Sequence, residues 1–309
     1  MLAYILRRLL WVPVVLIVVS FVTFALGVYG PGDPITLRLG QHANPTDVAR
    51  IRAELGLDRP FLTQYRDYVD NVIHGDLGQS LVFRGRPVAD LLFPKIWVSM
   101  QLGLVAIAIA VGIGVPLGLT AALRQGTWRD TGIVSGALLL YVMPAFILAP
   151  ILLYVFAYRL HWVPAAGWGG LFDGRIIMPA VVLGLPGIAG ITRLMRASTL
   201  EVIGQDYVRT ARAKGLLPRR INYVHIGRNA ILPVVTVVGL SLATLVEGAF
   251  ITETIFGIPG VGRLAVESLF ARDYPVVMAL TLLVAAGYVM VNLAVDIAYS
   301  ILDPRIRYR

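Results

Sequence analysis

The chain contains no cysteine, and only 15% of its 309 residues are charged. Without cysteine it can form neither disulfide bonds nor thiolate metal sites. Soluble domains carry about 25% charged residues, so the shortage of charge argues against a soluble globular protein. Hydrophobic residues instead make up 57% of the chain, and the mean hydropathy is +0.76. These values indicate a membrane protein.

The sequence motifs of several enzyme classes are also missing. There is no G-x-x-x-x-G-K-[ST] phosphate-binding loop, because Lys214-Gly215 reverses the motif and lacks its glycine-rich part. An H-E-x-x-H zinc motif and a G-x-S-x-G nucleophile elbow are absent as well. The four histidines are widely separated in the sequence: His42, His74, His161 and His225. We therefore expect no catalytic site, metal site or cofactor within this chain.

Uncharged apolar stretches recur along the chain. A transmembrane α-helix needs about 20 residues to cross about 30 Å of hydrocarbon. Six stretches approach or exceed this length: Leu9–Gly32, Ile96–Leu123, Thr131–Tyr158, Ile176–Thr192, Asn229–Val246 and Tyr274–Val295. The first is longer than the apolar core of a signal peptide, so we expect it to be retained, although Ala25-Leu26-Gly27 resembles a cleavage site. The sequence predicts an all-α membrane protein with six transmembrane helices.

The short segments that connect the six stretches differ in charge. Fifteen Lys or Arg and four Asp or Glu lie in one set, which consists of Met1–Arg8, Arg124–Asp130, Arg193–Arg228 and Asp303–Arg309. The segments on the other side, Arg159–Arg175 and Glu253–Asp273, hold four basic and four acidic residues. Because short cytoplasmic loops are rich in Lys and Arg, both termini are predicted to be cytoplasmic. The net charge of +9 then reflects membrane topology, and no basic stripe interleaved with aromatic residues indicates a nucleic-acid partner.

The sequence divides into four regions. Residues 1–32 form the first transmembrane helix with a cytoplasmic N-terminus, residues 33–95 an extracytoplasmic cap, residues 96–302 a five-helix core with the cytoplasmic loop 196–228, and residues 303–309 a cytoplasmic tail. Within the cap, "PGDP" at 31–34 predicts a turn, residues 44–56 a helix, and Gly75–Ser80 ("GDLGQS") a tight loop. Four apolar residues have helical spacing: Phe61, Tyr65, Tyr68 and Val72. The cap has too few apolar residues for a core of its own.

Glycine and proline recur within the apolar stretches. Gly114/Gly118 and Gly132/Gly136 have the small-xxx-small spacing that permits close contact between helices. We favour contact within the chain over contact between subunits at both pairs. Five prolines are expected to kink the helices, as a pathway that opens and closes requires: Pro116, Pro144, Pro150, Pro179 and Pro186.

Ionisable residues are rare in the predicted spans. Glu247 and Asp296 are the two candidates, both close to predicted helix ends. Each is a candidate for contact with a substrate or a gate, but a structural carboxylate is the favoured interpretation, for example Asp296 paired with Asn292 one turn earlier. Proton- and sodium-coupled carriers usually place ionisable groups at membrane depth. Their scarcity here favours transport that is powered from outside the chain.

One basic stretch, "DYVRTARAKG" (Asp206–Gly215), lies in the predicted cytoplasmic loop. A capping box at Ser198–Glu201 predicts a helix start, while Gly215 and Pro218 predict its end. One face of this helix is apolar and its borders are basic: Ile203, Tyr207 and Ala211, then Arg209, Arg212 and Lys214. A plain positive-inside loop would explain the charge alone. The helix signals and the small Thr210 and Ala211 favour a ridge that inserts into a groove of another protein.

Over nearly its whole length, the sequence resembles the transmembrane permease subunits of ABC importers in the dipeptide and oligopeptide group. The shared motifs, in chain order, are "YILRRLL", "PGDP", "GDLGQS" followed by Pro87-Val88, "DYVRTARAKGL", "RNAILP", "ETIFGIPGVGRL", "RDYPVV" and "NLAVDIAYSILDPRIR". The resemblance implies the type I importer fold and a cytoplasmic coupling loop that docks into a cleft of an ATPase subunit. The E-A-A-x-x-x-G pattern of that loop matches Arg209, Thr210, Ala211 and Gly215. Arg209 stands in the place of the glutamate, and Asp206, one turn earlier, is a candidate substitute.

The resemblance also implies partners and a substrate. The partners are a second homologous permease, two ATPase subunits or domains that bind ATP and Mg²⁺, and an extracytoplasmic solute-binding protein, in a bacterial or archaeal inner membrane. The substrates are short peptides, although the same architecture also carries nickel, opines, glutathione or oligosaccharides. A self-contained secondary carrier and a non-transporting scaffold are the alternatives from other classes. We expect the cap and the "ETIFGIPGVGRL" loop to dock the solute-binding protein, or alternatively the cap to form a lid on the helix bundle.

Overall fold

The computed structural model describes residues 2–30, 53, 58–83 and 85–302. Within these ranges the regular secondary structure is helical, and the isolated antiparallel pairing of Gln79 with Pro87 is not extended into a strand. The predicted all-α class is confirmed. The predicted turn at 31–34, most of the predicted helix at 44–56 and the tail 303–309 lie outside the described residues.

Among the described residues, four helices are long and apolar enough to cross a membrane: α1 (Leu2–Tyr29), α3 (Val88–Leu123), α6 (Ile177–Ile203) and α12 (Tyr274–Leu302). Two bent pairs also pass when each is taken as one span: α4 (Trp128–Val142) with α5 (Ala145–Arg159), and α8 (Pro218–Ala230) with α9 (Leu232–Ser241). Four α-helices in the described ranges are shorter: α2 (Phe61–Ile73), α7 (Asp206–Ala213), α10 (Phe250–Ile255) and α11 (Val261–Phe270). Short 3-10 helices are formed by Gly174–Ile176 and Leu242–Val246. The six predicted spans correspond to the four long helices and the two bent pairs.

The sharpest bend in these spans lies at a proline. The axes of α4 and α5 differ by 102°, and Met143 and Pro144 between them have extended backbone. A residue before proline is disfavoured in helical geometry. The kink predicted at Pro144 is confirmed, and here it is a break between two helices. By contrast, α3 continues through Pro116 and α6 continues through Pro186.

The described residues among 1–97 and 260–309 form one compact unit. Its hydrophobic core joins the start of α3 to α11 and α12: Val88, Leu91, Leu92, Val261, Leu264, Val276, Ala279 and Leu280. The helix predicted around Phe61 is present as α2, and its rings contact Phe21 and Phe24 of α1 at centroid distances of 5.1–5.6 Å. The apolar face of α2 therefore packs on α1, whereas Asp67 and Asp70 on its other face are exposed.

Residues 98–259 form the second compact unit. Here α3 packs closely on α6 because two glycines leave room for the neighbouring helix. A Cβ added at Gly114 would lie 2.9 Å from Ile191 Cβ, and one added at Gly118 would lie 2.5 Å from the Thr192 carbonyl oxygen. Contact within the chain is thus confirmed for Gly114/Gly118. At Gly132/Gly136 an added Cβ would meet no described atom within 4 Å, so the same prediction is wrong for that pair.

Candidate functional site

The basic stretch folds as the short helix α7, but this helix starts later than the capping box predicts. Ser198 and Thr199 are buried inside α6, which continues to Ile203. An N-capping residue needs non-helical backbone. Met195 before Ser198 and the half-buried Val202 after it pack into one core cluster, so the chain stays helical on both sides of Ser198. The predicted start at Ser198 is wrong. The turn at Gly204 and the extended Gln205 instead separate α6 from α7.

The apolar face of α7 is covered by its own chain. Val208 and Ala211 are 0% and 5% exposed and pack against Ile221 and Ile226 of α8. The prediction that Ala211 inserts into a groove of another protein is therefore wrong. Val208 and Ala211 serve a contact within the chain, because their burial against α8 removes apolar surface from water.

The opposite face of α7 is exposed and charged. It carries Asp206, Tyr207, Arg209, Thr210 and Arg212, and Lys214 and Gly215, which follow the last residue of the helix, are exposed as well. Arg209 Nη1 lies 3.7 Å from Asp206 Oδ1 in an exposed ion pair, which contributes at most about 1 kcal/mol. Gly215 has a φ of +70°, the left-handed conformation that ends helices, as predicted. α7 thus presents charges and one tyrosine ring outward.

An ion pair that sequence reasoning missed joins α4 to the end of α6. Arg196 donates from Nε to Asp130 Oδ1 (2.7 Å) and from Nη2 to Asp130 Oδ2 (2.8 Å). The amide of Gly126 also donates to Asp130 Oδ2, at 3.1 Å. The side chains of Asp130 and Arg196 are 7% and 28% exposed. Such bidentate pairs fix orientation as well as distance, so the last turns of α6 are held to α4.

A cavity of about 440 Å³ lies between α3, α6 and residues 241–252. Small residues form much of its wall, including Gly103 and Ala106 of α3 and Gly184 of α6. A Cβ added at Gly184 would lie 2.9 Å from the Ala106 carbonyl oxygen, so glycine allows the two helices to approach closely. Glu247 lines the cavity and is exposed. The structure thus places this predicted pathway candidate at a cavity wall.

Glu253, the first residue of the predicted outer segment Glu253–Asp273, is 0% exposed. Its Oε1 accepts hydrogen bonds from Ser99 Oγ of α3 (2.7 Å) and from the amide of Ala249 (3.0 Å). These bonds join the segment after Glu247 to α3. Because Ser99 and Glu253 are 154 positions apart, no local sequence signal reveals the contact.

A second buried carboxylate joins two of the motifs noted in the sequence. Ser80 of "GDLGQS" donates its hydroxyl hydrogen to Asp273 of "RDYPVV", and the Leu81 amide donates to Asp273 Oδ1 at 3.0 Å. Asp273 is 0% exposed. The two motifs therefore form one structural contact at the start of α12. Asp296, the other predicted pathway candidate, lies in α12, but its side chain is outside the described residues.

Comparison with protein families identifies the class of the chain. The family "Binding-protein-dependent transport system inner membrane component" matches residues 114–308, and a model of the N-terminal part of such components matches residues 1–85. The chain belongs to this family. It is therefore a multi-pass protein of the inner membrane and a membrane component of a transport system.

Several relatives of this inner membrane component are named as peptide permeases. The dipeptide transport system permease protein DppB of Escherichia coli is 41% identical over 339 positions, which cover 100% of both chains. The oligopeptide transport system permease protein OppB of Haemophilus influenzae is 40% identical over 310 positions, with 100% of both chains covered. A probable peptide ABC transporter permease protein of Sinorhizobium fredii is 39% identical over 311 positions, with 99% of both covered.

The fold of this inner membrane component also resembles a solved transporter. A chain from the structure of inward-facing conformations of the MetNI methionine ABC transporter matches with a TM-score of 0.53. The match covers 69% of this chain and 96% of that chain at 16% sequence identity. At so low an identity the match concerns the fold alone. The match confirms the expected type I ABC importer permease fold.

Proposed function

We propose that the chain is the permease subunit of an ATP-driven importer and forms half of the transmembrane pathway for di- and oligopeptides. The observation that carries the proposal is its similarity, along its whole length, to permeases named for peptide transport. The cavity beside α3 and α6 supports it, because a pathway needs space between spans. The predicted cytoplasmic location of both termini belongs to the same proposal.

The proposed partners are a second homologous permease, two ATPase subunits or domains and an extracytoplasmic solute-binding protein. ATP and Mg²⁺ would be bound by the ATPase partners. We assign the contact with the ATPase partners to the exposed face of α7, which carries Asp206, Tyr207, Arg209 and Thr210, together with Lys214 directly after the helix. Ala211 supports that face from behind through its contact with α8, and Gly215 ends the helix.

The contacts of α7 and α6 provide a route for mechanical coupling. α7 is packed on α8 through Val208 and follows α6 after Gly204 and Gln205. α6 also lines the cavity at Gly184 and Gly187. From Gly187 to Ile203 the helix spans about 24 Å at about 1.5 Å per residue. Because packed interiors transmit displacement, a movement of α7 would reach the cavity through α6.

Reconstitution tests this function directly. The chain, its second permease and its ATPase partners would be placed in proteoliposomes, with ATP inside and labelled dialanine and the solute-binding protein outside. We expect uptake that requires both ATP and the binding protein. Uptake by this chain alone, driven by an ion gradient, would instead identify a secondary carrier, and no flux with every partner present would identify a scaffold.

The substrate class is tested on the solute-binding protein. Calorimetric titration with dipeptides, longer peptides, nickel, an opine, glutathione and an oligosaccharide separates the alternatives that share this architecture. We expect the tightest binding for a di- or oligopeptide. Tighter binding of nickel or a sugar would contradict the peptide assignment while leaving the importer assignment intact.

A further inference from the structure

The cavity beside Glu247 combines short neutral side chains with a single charge. Glycine, alanine, serine and threonine form most of its lining, and the hydroxyl groups come from Ser99, Ser241, Thr244 and Thr252. Its volume of about 440 Å³ is within the range of about 300–1,000 Å³ that is usual for small-molecule sites. Short neutral walls impose little shape on a ligand, so they accept groups of different size.

Glu247 is the one charged residue among the described residues that line this cavity. No described residue forms an ion pair with it. The Glu247 side chain is exposed at the cavity wall, so a cationic group that enters the cavity can reach its carboxylate. The chemistry complementary to the cavity is therefore a small cationic group on a ligand whose other parts vary.

The backbone after Glu247 is held by buried contacts. Ala249, two residues later, donates its amide hydrogen to Glu253, which also accepts the Ser99 hydroxyl hydrogen. Gly248, between Glu247 and Ala249, has a φ of +74°, a conformation that glycine adopts without strain. The backbone that follows Glu247 is thus tied to α3 through Ala249 and Glu253.

We infer that Glu247 binds the protonated amino terminus of the transported peptide in this cavity. The inference rests on the proposed function, and it adds a recognised chemical group and the residue that recognises it. Unmodified peptides differ in side chains but share an α-ammonium group, which has a pKa of about 7.7–8.0 and is mostly protonated at neutral pH. One carboxylate in small neutral walls recognises that common group without selecting among side chains.

The transport test compares Glu247→Gln with Glu267→Gln in the reconstituted importer. Glu267 is a matched control because its carboxylate is half-exposed and pairs with Arg263 on the surface of α11. We expect Glu247→Gln to reduce dialanine uptake by about tenfold or more, because the neutral amide still accepts a hydrogen bond but no longer attracts the ammonium group by its charge. Glu267→Gln should retain wild-type uptake. Equal uptake by both variants would overturn the inference.

The absence of cysteine permits a binding test that does not depend on the Glu247 variant. Thr244→Cys places a single thiol in this chain at the cavity wall, and mass spectrometry of the chain measures its labelling by a cationic thiosulfonate. Millimolar dialanine should slow labelling at least about threefold, whereas N-acetyl-dialanine, which lacks the ammonium group, should not. Phe172→Cys, at a side chain that is 98% exposed, controls for reagent reactivity. Equal protection by the two peptides, or none, would overturn the inference.

The two proposals fail in distinguishable ways. If the wild-type complex shows no ATP-dependent peptide uptake, the proposed function is wrong and the inference about Glu247 falls with it. A different result is that the wild-type complex transports dialanine while Glu247→Gln and Glu267→Gln transport it equally well, or while the two peptides protect Thr244→Cys equally or not at all. In that case only the amino-terminus site is wrong. The wild-type uptake measured first therefore decides which statement each later result tests.

Discussion

The ion pair between Asp130 and Arg196 should contribute measurably to stability, unlike the ion pairs on the surface. Asp130 accepts three hydrogen bonds, two from Arg196 and one from the Gly126 amide. Breaking a buried ion pair by removing one partner costs about 3–5 kcal/mol. Because the Arg196 side chain is 28% exposed, water recovers part of its lost bonding, and we expect Asp130→Ala to cost about 3 kcal/mol.

Arg196→Leu should cost about 4 kcal/mol, since it leaves the Asp130 carboxylate in a site where only 7% of its side chain is exposed. The assay is reversible unfolding of the purified chain by SDS in mixed micelles, followed by far-UV circular dichroism. The double variant completes a double-mutant cycle, which isolates the pairwise energy. We expect a coupling energy of about 2 kcal/mol.

The exposed pair Arg263–Glu267 is the matched control for this cycle. Its N–O distance of 2.6 Å is as short as that of the buried pair, but its side chains are 38% and 44% exposed. An exposed pair of this spacing contributes about 0.3–0.5 kcal/mol. If the cycle at Asp130 and Arg196 gives no more than this control, burial does not make the pair strong.

Three further outcomes follow from the contacts described. Gly118→Val should abolish folded expression, because even its Cβ would lie 2.5 Å from the Thr192 carbonyl oxygen, whereas Gly132→Val should express normally; detergent-extracted yield by size-exclusion chromatography checks both. Ala211→Glu should destabilise the α7–α8 contact by about 2 kcal/mol or more and lower thermal stability before any partner binds, while Arg212→Ala should not; stability equal to wild type for Ala211→Glu would contradict the packing assigned to α7. Asp70→Lys should weaken docking of the solute-binding protein most at low salt, as measured by surface plasmon resonance, and a salt-independent affinity would place the docking surface elsewhere than the exposed face of α2.

Sequence alone determined the features that depend on local chemistry. The length of uncharged apolar runs predicted where the spans lie, because hydrocarbon thickness sets the number of residues required. Pro144 predicted the break between α4 and α5, and Gly215 predicted the end of α7, because each residue type restricts or permits particular backbone angles. The spacing of Gly114 and Gly118 predicted a close helix contact, since a missing Cβ leaves room for a neighbouring backbone.

Only the tertiary structure decided which partner each residue contacts. The small and apolar residues of α7 fit a groove of another protein as well as a surface of the same chain, and burial of Ala211 against α8 selected the second. Ser198 matched a capping box, yet packing on both sides kept α6 helical through it. Asp130 and Arg196, and likewise Ser99 and Glu253, are far apart in the sequence. Local sequence patterns specify backbone geometry and polarity. A long-range pair forms only once the fold has brought two helices together, so neither stretch of sequence by itself predicts it.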